Sequence, residues 1–461
     1  MKERRAYKWF DAMQHAFEPT SILETSGHKS ATDAKFKIEP EKLTACKVCS
    51  DSLPSVHDVL AQSNLEPVSR VQQVTSHGRV LLCTTKVVGT EERSDETKTK
   101  NTAAIKVMPL VRDEVWLDLF TTRGEDRNRS IANAQKAIED SHNSAYMEPA
   151  VLAFLSSFRC PYLPTFLGAA LACADRRDDL FKGRKNSGKV SPQALSCATK
   201  STPVILCATR GLDATDAHAL IEGQQMAERL GGRPYQFLPF LGHLLVALDV
   251  CHRANVIHND VHFSNALVDS GANEDESYRY DVQNEVGDNI ALVLPNPKGK
   301  RLVLIDFGRA ADGSKGFVSS EIRRFEPKWD VTRKHADVAM VLASLLRHWP
   351  SLAKGAGHRE WPSSWDTPEE ALLAVYVSRA VNCSVPASVD DGIKNSTDGR
   401  VRAESLMSLP TCFIRANTND DRIKCEHRMA HSLRGASTRC SSITAGEILC
   451  SDLFARYRDR T

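Results

Sequence analysis

From residue 68 onward the distribution of apolar and polar positions turns strand-like, over Val68–Val74, Arg79–Val88 and Thr102–Met108. Glu91–Lys100, a run of charged and small polar residues, reads as the hairpin loop between the last two. Tyr162–Leu171 and Pro203–Ala208 are apolar runs of strand length. Between the third and fourth strands, Glu148–Leu155 carries apolar residues at helical spacing with a proline near its start. Further along the period changes: Phe237–His252 is a strongly apolar helix, and Asp337–Trp349, Pro368–Val381 and Thr444–Tyr457 read as helices. The order predicts an α+β chain with an antiparallel five-stranded sheet and one helix first, then a mainly helical part. No internal repeat is visible.

Residues 1–60 are polar and weakly periodic, with turn signals at Ser26-Gly27 and Glu39-Pro40, and predict a partly disordered extension. Residues 61–461 then form one large unit, divided at about residue 210. It carries insertions at 111–145, 174–202 and 270–300; the second contains the basic stretch Arg176–Lys189 and the third begins acidic.

The 461 residues are 41% hydrophobic and 26% charged, enough for a sizeable core. Sixty Lys+Arg against 58 Asp+Glu leave a formal charge of +2, so no global field favours nucleic acid or an anionic membrane. No apolar run approaches the ~18–20 residues of a membrane span, and the first ten residues lack the apolar centre of a secretory signal. The 13 cysteines are therefore expected to be reduced thiols in a cytoplasmic or nuclear protein. Cys46-Lys47-Val48-Cys49 has no second pair nearby and reads as two surface thiols.

The chemistry concentrates in two places. Ile257–Val268 sets Asp260 and Asn265 five positions apart on a turn between apolar runs, and Leu302–Gly308 is a strand ending in Asp306, Phe307 and Gly308. Moving a phosphoryl group needs such parts: a base near the acceptor hydroxyl and oxygen ligands for Mg²⁺. Here the chain resembles the protein-kinase superfamily, whose catalytic loop reads H-R-D-x-x-x-x-N and whose metal motif reads D-F-G. The resemblance runs from about Val68 to Tyr457 and implies a two-lobed fold, with a sheet-rich lobe at 61–210 and a helical lobe at 211–461.

It also implies roles. Ala103-Ala104-Ile105-Lys106 resembles the V-A-I-K strand, so Lys106 would pair with ATP phosphates and be held by Glu148, with Glu139 a rival partner. Leu152, four residues after Glu148, would pack on the metal motif. Gly78, Val80 and Ala104 would contact the nucleotide, and the adenine would lie near Leu206–Arg210. Asp260 would be the catalytic base, Asn265 and Asp306 would hold Mg²⁺, and His258 would be a structural imidazole bonded to backbone. Asp337, with Asp330 as a competitor, would anchor the catalytic-loop backbone. Arg439 and Thr444–Phe454 resemble the family's closing helix.

Some positions depart from the pattern. Asn259 stands where the family has Arg, which leaves no cation beside Asp260 on the loop for an activation-loop phosphate. His262 stands where a lysine is common, as in aminoglycoside and choline kinases and in haspin. Of three glycine-loop positions (Gln73, Thr75, Gly78) one is glycine, with Thr75 and Ser76 hydroxyls as partial substitutes. Phe325-Glu326-Pro327 replaces A-P-E. The expectation is an ATP- and Mg²⁺-dependent kinase acting on Ser/Thr of a protein substrate, with no nucleic-acid or membrane partner. The alternatives are a small-molecule phosphotransferase and a pseudokinase scaffold.

Overall fold

Burial alternation along Thr102–Val107, within the strand Thr102–Pro109, organises the first half of the molecule. Ala103, Ile105 and Val107 turn to one side and are buried, while Thr102, Ala104 and Lys106 turn to the other. This computed structural model describes residues 54–68, 73–75, 78–85, 102–110, 144–174, 202–212, 214–216, 237–283, 289–312, 334–354 and 443–459, with single helical residues at 128, 129, 132, 133, 136 and 376.

Strands β1 (Leu65–Pro67), β2 (Gln73–Thr75), β3 (Gly78–Thr85), β4 (Thr102–Pro109), β5 (Phe166–Ala174) and β6 (Thr202–Arg210) form one antiparallel sheet. Its order is β1-β3-β4-β6-β5. Both β1 and β2 pair with β3, Leu65 opposite Thr85 and Gln73 opposite Val80, so they are two pieces of one edge strand. Strands are present at the five positions expected from the sequence; of the first, Val68–Val74, residues 69–72 lie outside the described residues.

Helix α1 (Val56–Gln62) covers the outer face of this sheet. Ser55 accepts from the Asp58 amide while the Asp58 carboxylate accepts from the Ser55 amide, a capping box that fixes the helix start. Val56, Val59 and Leu60, at helical spacing, join Leu81, Ile105 and Leu206 in a small core. Residues 55–60, assigned above to the polar extension, therefore pack on the sheet; three apolar positions suffice to dock one short helix.

Helix α2 (Ser144–Ser156) packs on the inner face. Ser144 and Ala145 extend it back into the segment read as the 111–145 insertion. Likewise Ala174 and Thr202, the ends of the expected 174–202 insertion, are strand residues paired with each other. The remainder of both segments, with Arg176–Lys189, lies outside the described residues apart from the single helical positions. After β6 the chain passes Gly211, whose amide donates to Thr102 O at 2.7 Å. A side chain there would meet Thr102 Oγ1 at 2.4 Å, so the close crossing requires glycine.

The second part is built around α3 (Leu238–Arg253), buried on every side from Leu238 to His252 as its nearly continuous apolar sequence demands. Its His243 stacks on Tyr162 with ring centroids 4.2 Å apart. The Leu302 amide donates to His243 Nδ1, so Nε2 donates to Pro295 O, and burial lowers the ring's pKa to about 3. Around α3 lie helices α4 (Lys334–Lys354) and α5 (Ala445–Cys450). Three small antiparallel sheets join them, made from β7 (Ala214–Asp216), β8 (Val256–Ile257), β9 (Ala266–Asp269), β10 (Ser277–Gln283), β11 (Asn289–Pro295), β12 (Arg301–Leu304) and β13 (Ala311–Asp312). Their orders are β12-β9-β7, β10-β11 and β13-β8. The second half is thus less purely helical than the sequence suggested; Pro368–Val381 is described only at Tyr376, a helical residue. Among the described residues no helix is long and apolar enough to cross a membrane.

The 270–300 segment, read above as an insertion, contributes to the main core. Its strands β10 and β11 bury Tyr280, Val282, Leu292 and Leu294 in the main core. Gly242 of α3 lets Leu294 and Phe454 approach closely. Thr444 caps α5, and the chain end closes over the hairpin, Asp459 N donating to Ala291 O at 2.8 Å and Arg279 pairing with Asp459. The acidic, turn-rich start of this segment hid the two-residue burial period that follows it. Leu292→Ala is accordingly expected to cost about 2–5 kcal/mol in chemical denaturation. A change under about 0.5 kcal/mol would fit a solvated insertion instead.

Candidate active site

Strand pairing brings the two motifs together. Antiparallel β9 and β12, with Ala266 opposite Leu304, place Asn265 beside Ile305 at one end of the small sheet. Ile305 N donates to Asn265 O at 2.8 Å, and Ile305 O pairs with His258 Nε2 at 2.9 Å. Both peptide groups preceding Asp306 are therefore tied to the Asp260 loop. The Asp260 amide lies 3.3 Å from His258 Nδ1, so that nitrogen accepts and Nε2 donates to Ile305 O. His258 is a fully buried brace against which the Phe307 ring packs at 4.7 Å.

The loop is fixed from beneath by Asp337 in the first turn of α4. Its carboxylate accepts from the His258 and Asn259 amides, each at 2.8 Å, and meets His252 Nε2 at 3.1 Å. Burial raises the Asp337 pKa, but the hydrogen bond and charge of His252, with His258, outweigh it and hold the carboxyl below its usual range. The rival Asp330 lies outside the described residues. Asn259 adopts φ 63° and Asp306 φ 64°. This left-handed backbone costs most residues about 1–2 kcal/mol, and Asn and Asp tolerate it best. Of the six non-glycine residues with positive φ among the described ones, one is thus the motif carboxylate Asp306 and another directly precedes Asp260.

Lys106 reaches this end of the molecule from β4. Its Nζ donates to Glu148 Oε2 at 2.6 Å and to Asp306 Oδ1 at 2.8 Å. Burial alone would lower the ammonium's pKa, but the two carboxylates outweigh it and raise it, keeping Lys106 charged. For Glu148 burial dominates and raises the pKa against the pull of Lys106. Glu148 is the fifth residue of α2, outside the first turn, so it is not a helix-terminal acid and Pro149 lies inside the helix. Leu152, one turn on, belongs to the same buried core as Phe307, and α2 packs on the Phe307–Arg309 turn. Glu139 lies outside the described residues.

Val80 is the register partner of Lys106 across β3–β4, and Ala104 lies two residues earlier on the same face. Cys207, opposite Lys106 on β6, is fully buried, its thiol pKa pushed well above the usual range by burial. Gly78 begins β3 opposite Thr75, so the first two glycine-loop positions are strand residues; the intervening Ser76 lies outside the described residues.

Asp260 is mostly buried and holds several partners. Asn265 Nδ2 donates to Asp260 O at 2.8 Å and approaches Asp260 Oδ2 at 3.3 Å. Arg309 Nη1 donates to Asp260 Oδ1 at 3.1 Å, and His262 Nε2 stands 3.8 Å from Oδ2. Burial would raise the Asp260 pKa, but the hydrogen bond and charge of His262, with the charges of Arg309 and His258, hold it well below the ordinary range. The sequence placed no cation beside Asp260; the fold supplies Arg309. Pairing of β13 with β8, Ala311 opposite Ile257, lays Arg309 alongside Asn259 and Asp260. That contact joins segments 49 residues apart, and only the strand pairing reveals it.

The donor set suits a hard cation. Both hydrogen bonds of the Asn265 side chain use Nδ2, which leaves its carbonyl oxygen as a ligand, on a residue whose backbone is bonded to that of Ile305, the neighbour of Asp306. Among the described residues no group of three or more His, Cys, Asp or Glu could hold a metal unaided. Two protein oxygens with the rest supplied by water and phosphate is the usual manner of Mg²⁺.

No family model matches the chain, and no curated protein matches it. Among solved structures it is similar to the crystal structure of the PF14_0431 kinase domain, at 14% identity and a TM-score of 0.35, over 85% of this chain and 95% of that one. So shallow a likeness carries no argument; the geometry of the site does.

Asp337→Ala would strand two buried amides and the His252 ring, at an expected cost of about 3–5 kcal/mol in denaturant unfolding. The pH dependence has a definite sign. A carboxyl depressed in the fold contributes stability that is fully present above its unfolded pKa of ~3.9 and is lost as pH falls through the folded value. Asp337→Asn should therefore flatten the acid limb of the stability profile; an unchanged limb would contradict the anchor.

Proposed function

We propose that this chain has a protein-kinase-like fold and is a phosphotransferase that moves the γ-phosphate of ATP to a hydroxyl, namely Ser or Thr of a protein substrate. The observation that carries the reading is the Lys106 ammonium bonded at once to Glu148 and Asp306, partners 42 and 200 positions away. A buried ammonium, two carboxylates and a separate carboxylate–carboxamide pair are costly to gather without a polyanion and its counter-ion to serve.

In this reading Lys106, held by Glu148, positions the phosphates of ATP. Val80 and Ala104 line the nucleotide side of the sheet, with Gly78 at the phosphate hairpin and Leu206–Arg210 beside the adenine. Asn265 and Asp306 hold Mg²⁺, which when bound neutralises charge on the phosphate oxygens. Asp260, kept ionised, accepts the hydrogen bond of the attacking hydroxyl and takes its proton as the O–P bond forms and ADP leaves. Alignment and charge neutralisation supply most of the acceleration, because the transition state is loose. The Asp337 clamp and the terminal α5 segment favour a protein acceptor, through their resemblance to the protein-kinase pattern. His262, beside Asp260, favours a small hydroxylated acceptor as the second reading.

Asp260→Asn and Asp306→Asn are each expected to lose at least ~10²-fold in phosphotransfer. Labelled ATP offered with a panel of protein and small-alcohol acceptors discriminates the readings. Turnover of small alcohols alone overturns the protein acceptor; no transfer and no Mg·ATP thermal shift leaves a scaffold.

A further inference from the structure

The environment of Asp260 is asymmetric. Its Oδ1 accepts a charge-assisted bond from Arg309 at 3.1 Å, whereas Oδ2 has Asn265 Nδ2 at 3.3 Å and His262 Nε2 at 3.8 Å. The neighbouring loop residue Asn259 is neutral and spends its amide on Asp337. His258 spends Nε2 on Ile305 O and presents Nδ1 to the Asp260 amide. The permanent cation bonded to Asp260 thus arrives from outside the loop, three residues after Asp306, on a turn pinned by β13–β8 pairing and by Ala310 N donating to Phe307 O. Arg309 keeps 31% of its side chain exposed and so sits at the rim of the site rather than in the core.

We infer that Arg309 is a positioning residue for Asp260: it fixes Oδ1 and thereby aims Oδ2, the more weakly held oxygen, at the acceptor hydroxyl. The inference rests on the phosphotransferase reading and deepens it. It also ties the two motifs functionally, since a shift of the turn after Asp306 moves the base as well as the metal-side carboxylate. The contact is a single N–H on one carboxylate oxygen, a geometry that a lysine ammonium can also make. An alternative role, a latch that blocks Asp260 until it is released, predicts the opposite kinetic effect.

The test is steady-state kinetics with Mg·ATP and an acceptor used by the wild type, on Arg309→Gln, Arg309→Lys, Asp260→Asn and the Arg309→Gln/Asp260→Asn double variant. Arg309→Gln should lower kcat by about 10–10²-fold and leave the KM for ATP within about twofold, because Lys106 and the Asn265–Asp306 pair are untouched. Arg309→Lys should recover most of the loss, and Arg309→Gln should add little to Asp260→Asn, as residues acting as one unit do. Thermal melts check that each variant is folded, and Arg309→Lys keeps the test alive if Arg309→Gln is not. An unchanged or faster Arg309→Gln enzyme, or additive losses in the double variant, overturns the inference alone. A wild type without transfer overturns the reading beneath it.

Discussion

A single ammonium shared by two carboxylates holds this molecule's two halves in register. Lys106 sits on the sheet, Glu148 on the helix beneath it, and Asp306 at the end of a strand in the other half, and the three meet within 2.8 Å. Burying them is expensive, and removing the ammonium would leave two buried carboxylates uncompensated. The elements carrying them are correspondingly well seated: β4 lies between β3 and β6, α2 packs on the Phe307–Arg309 turn, and Ile305 is bonded on both sides to the Asp260 loop. The surplus negative charge this cluster leaves suits a divalent cation.

The second constraint is backbone geometry. Asn259 and Asp306 occupy left-handed conformations, and each is held by its surroundings: Asn259 by Asp337, Asp306 by Lys106. This gives Asn259 a physical reason where the sequence showed only a missing arginine. Asparagine tolerates that backbone, and the positive charge beside Asp260 is delivered by Arg309 from across the β8–β13 pair. Left-handed backbone also occurs at Asn64, Arg159, Asn255 and Lys298, so what sets Asn259 and Asp306 apart is the hydrogen bonding that holds them beside the site.

Much of the site was legible because chemistry-bearing residues lay in short apolar contexts. Leu302–Ile305 could hardly be other than a buried strand, so Asp306 at its end was conspicuous, and Asp260 and Asn265 followed a helix apolar on all sides. Lys106 was legible through the resemblance of Ala103–Lys106 to V-A-I-K, and Glu148 through Leu152 one turn later. What failed had physical causes as well. The helix at Val56–Gln62 is about two turns long with three buried apolar positions, too little signal against a polar background. The β10–β11 hairpin was hidden by its acidic approach, although Tyr280, Val282, Leu292 and Leu294 alternate cleanly. Arg309 was invisible as a partner of Asp260 because its contact depends on a two-residue strand pairing.

Nucleotide binding by calorimetry, with and without Mg²⁺, in wild type and Lys106→Met, tests the shared-ammonium cluster most directly. Tight ATP binding that weakens about tenfold or more when either Mg²⁺ or the Lys106 ammonium is removed is the predicted result. Binding indifferent to both would show that these buried charges serve the fold alone.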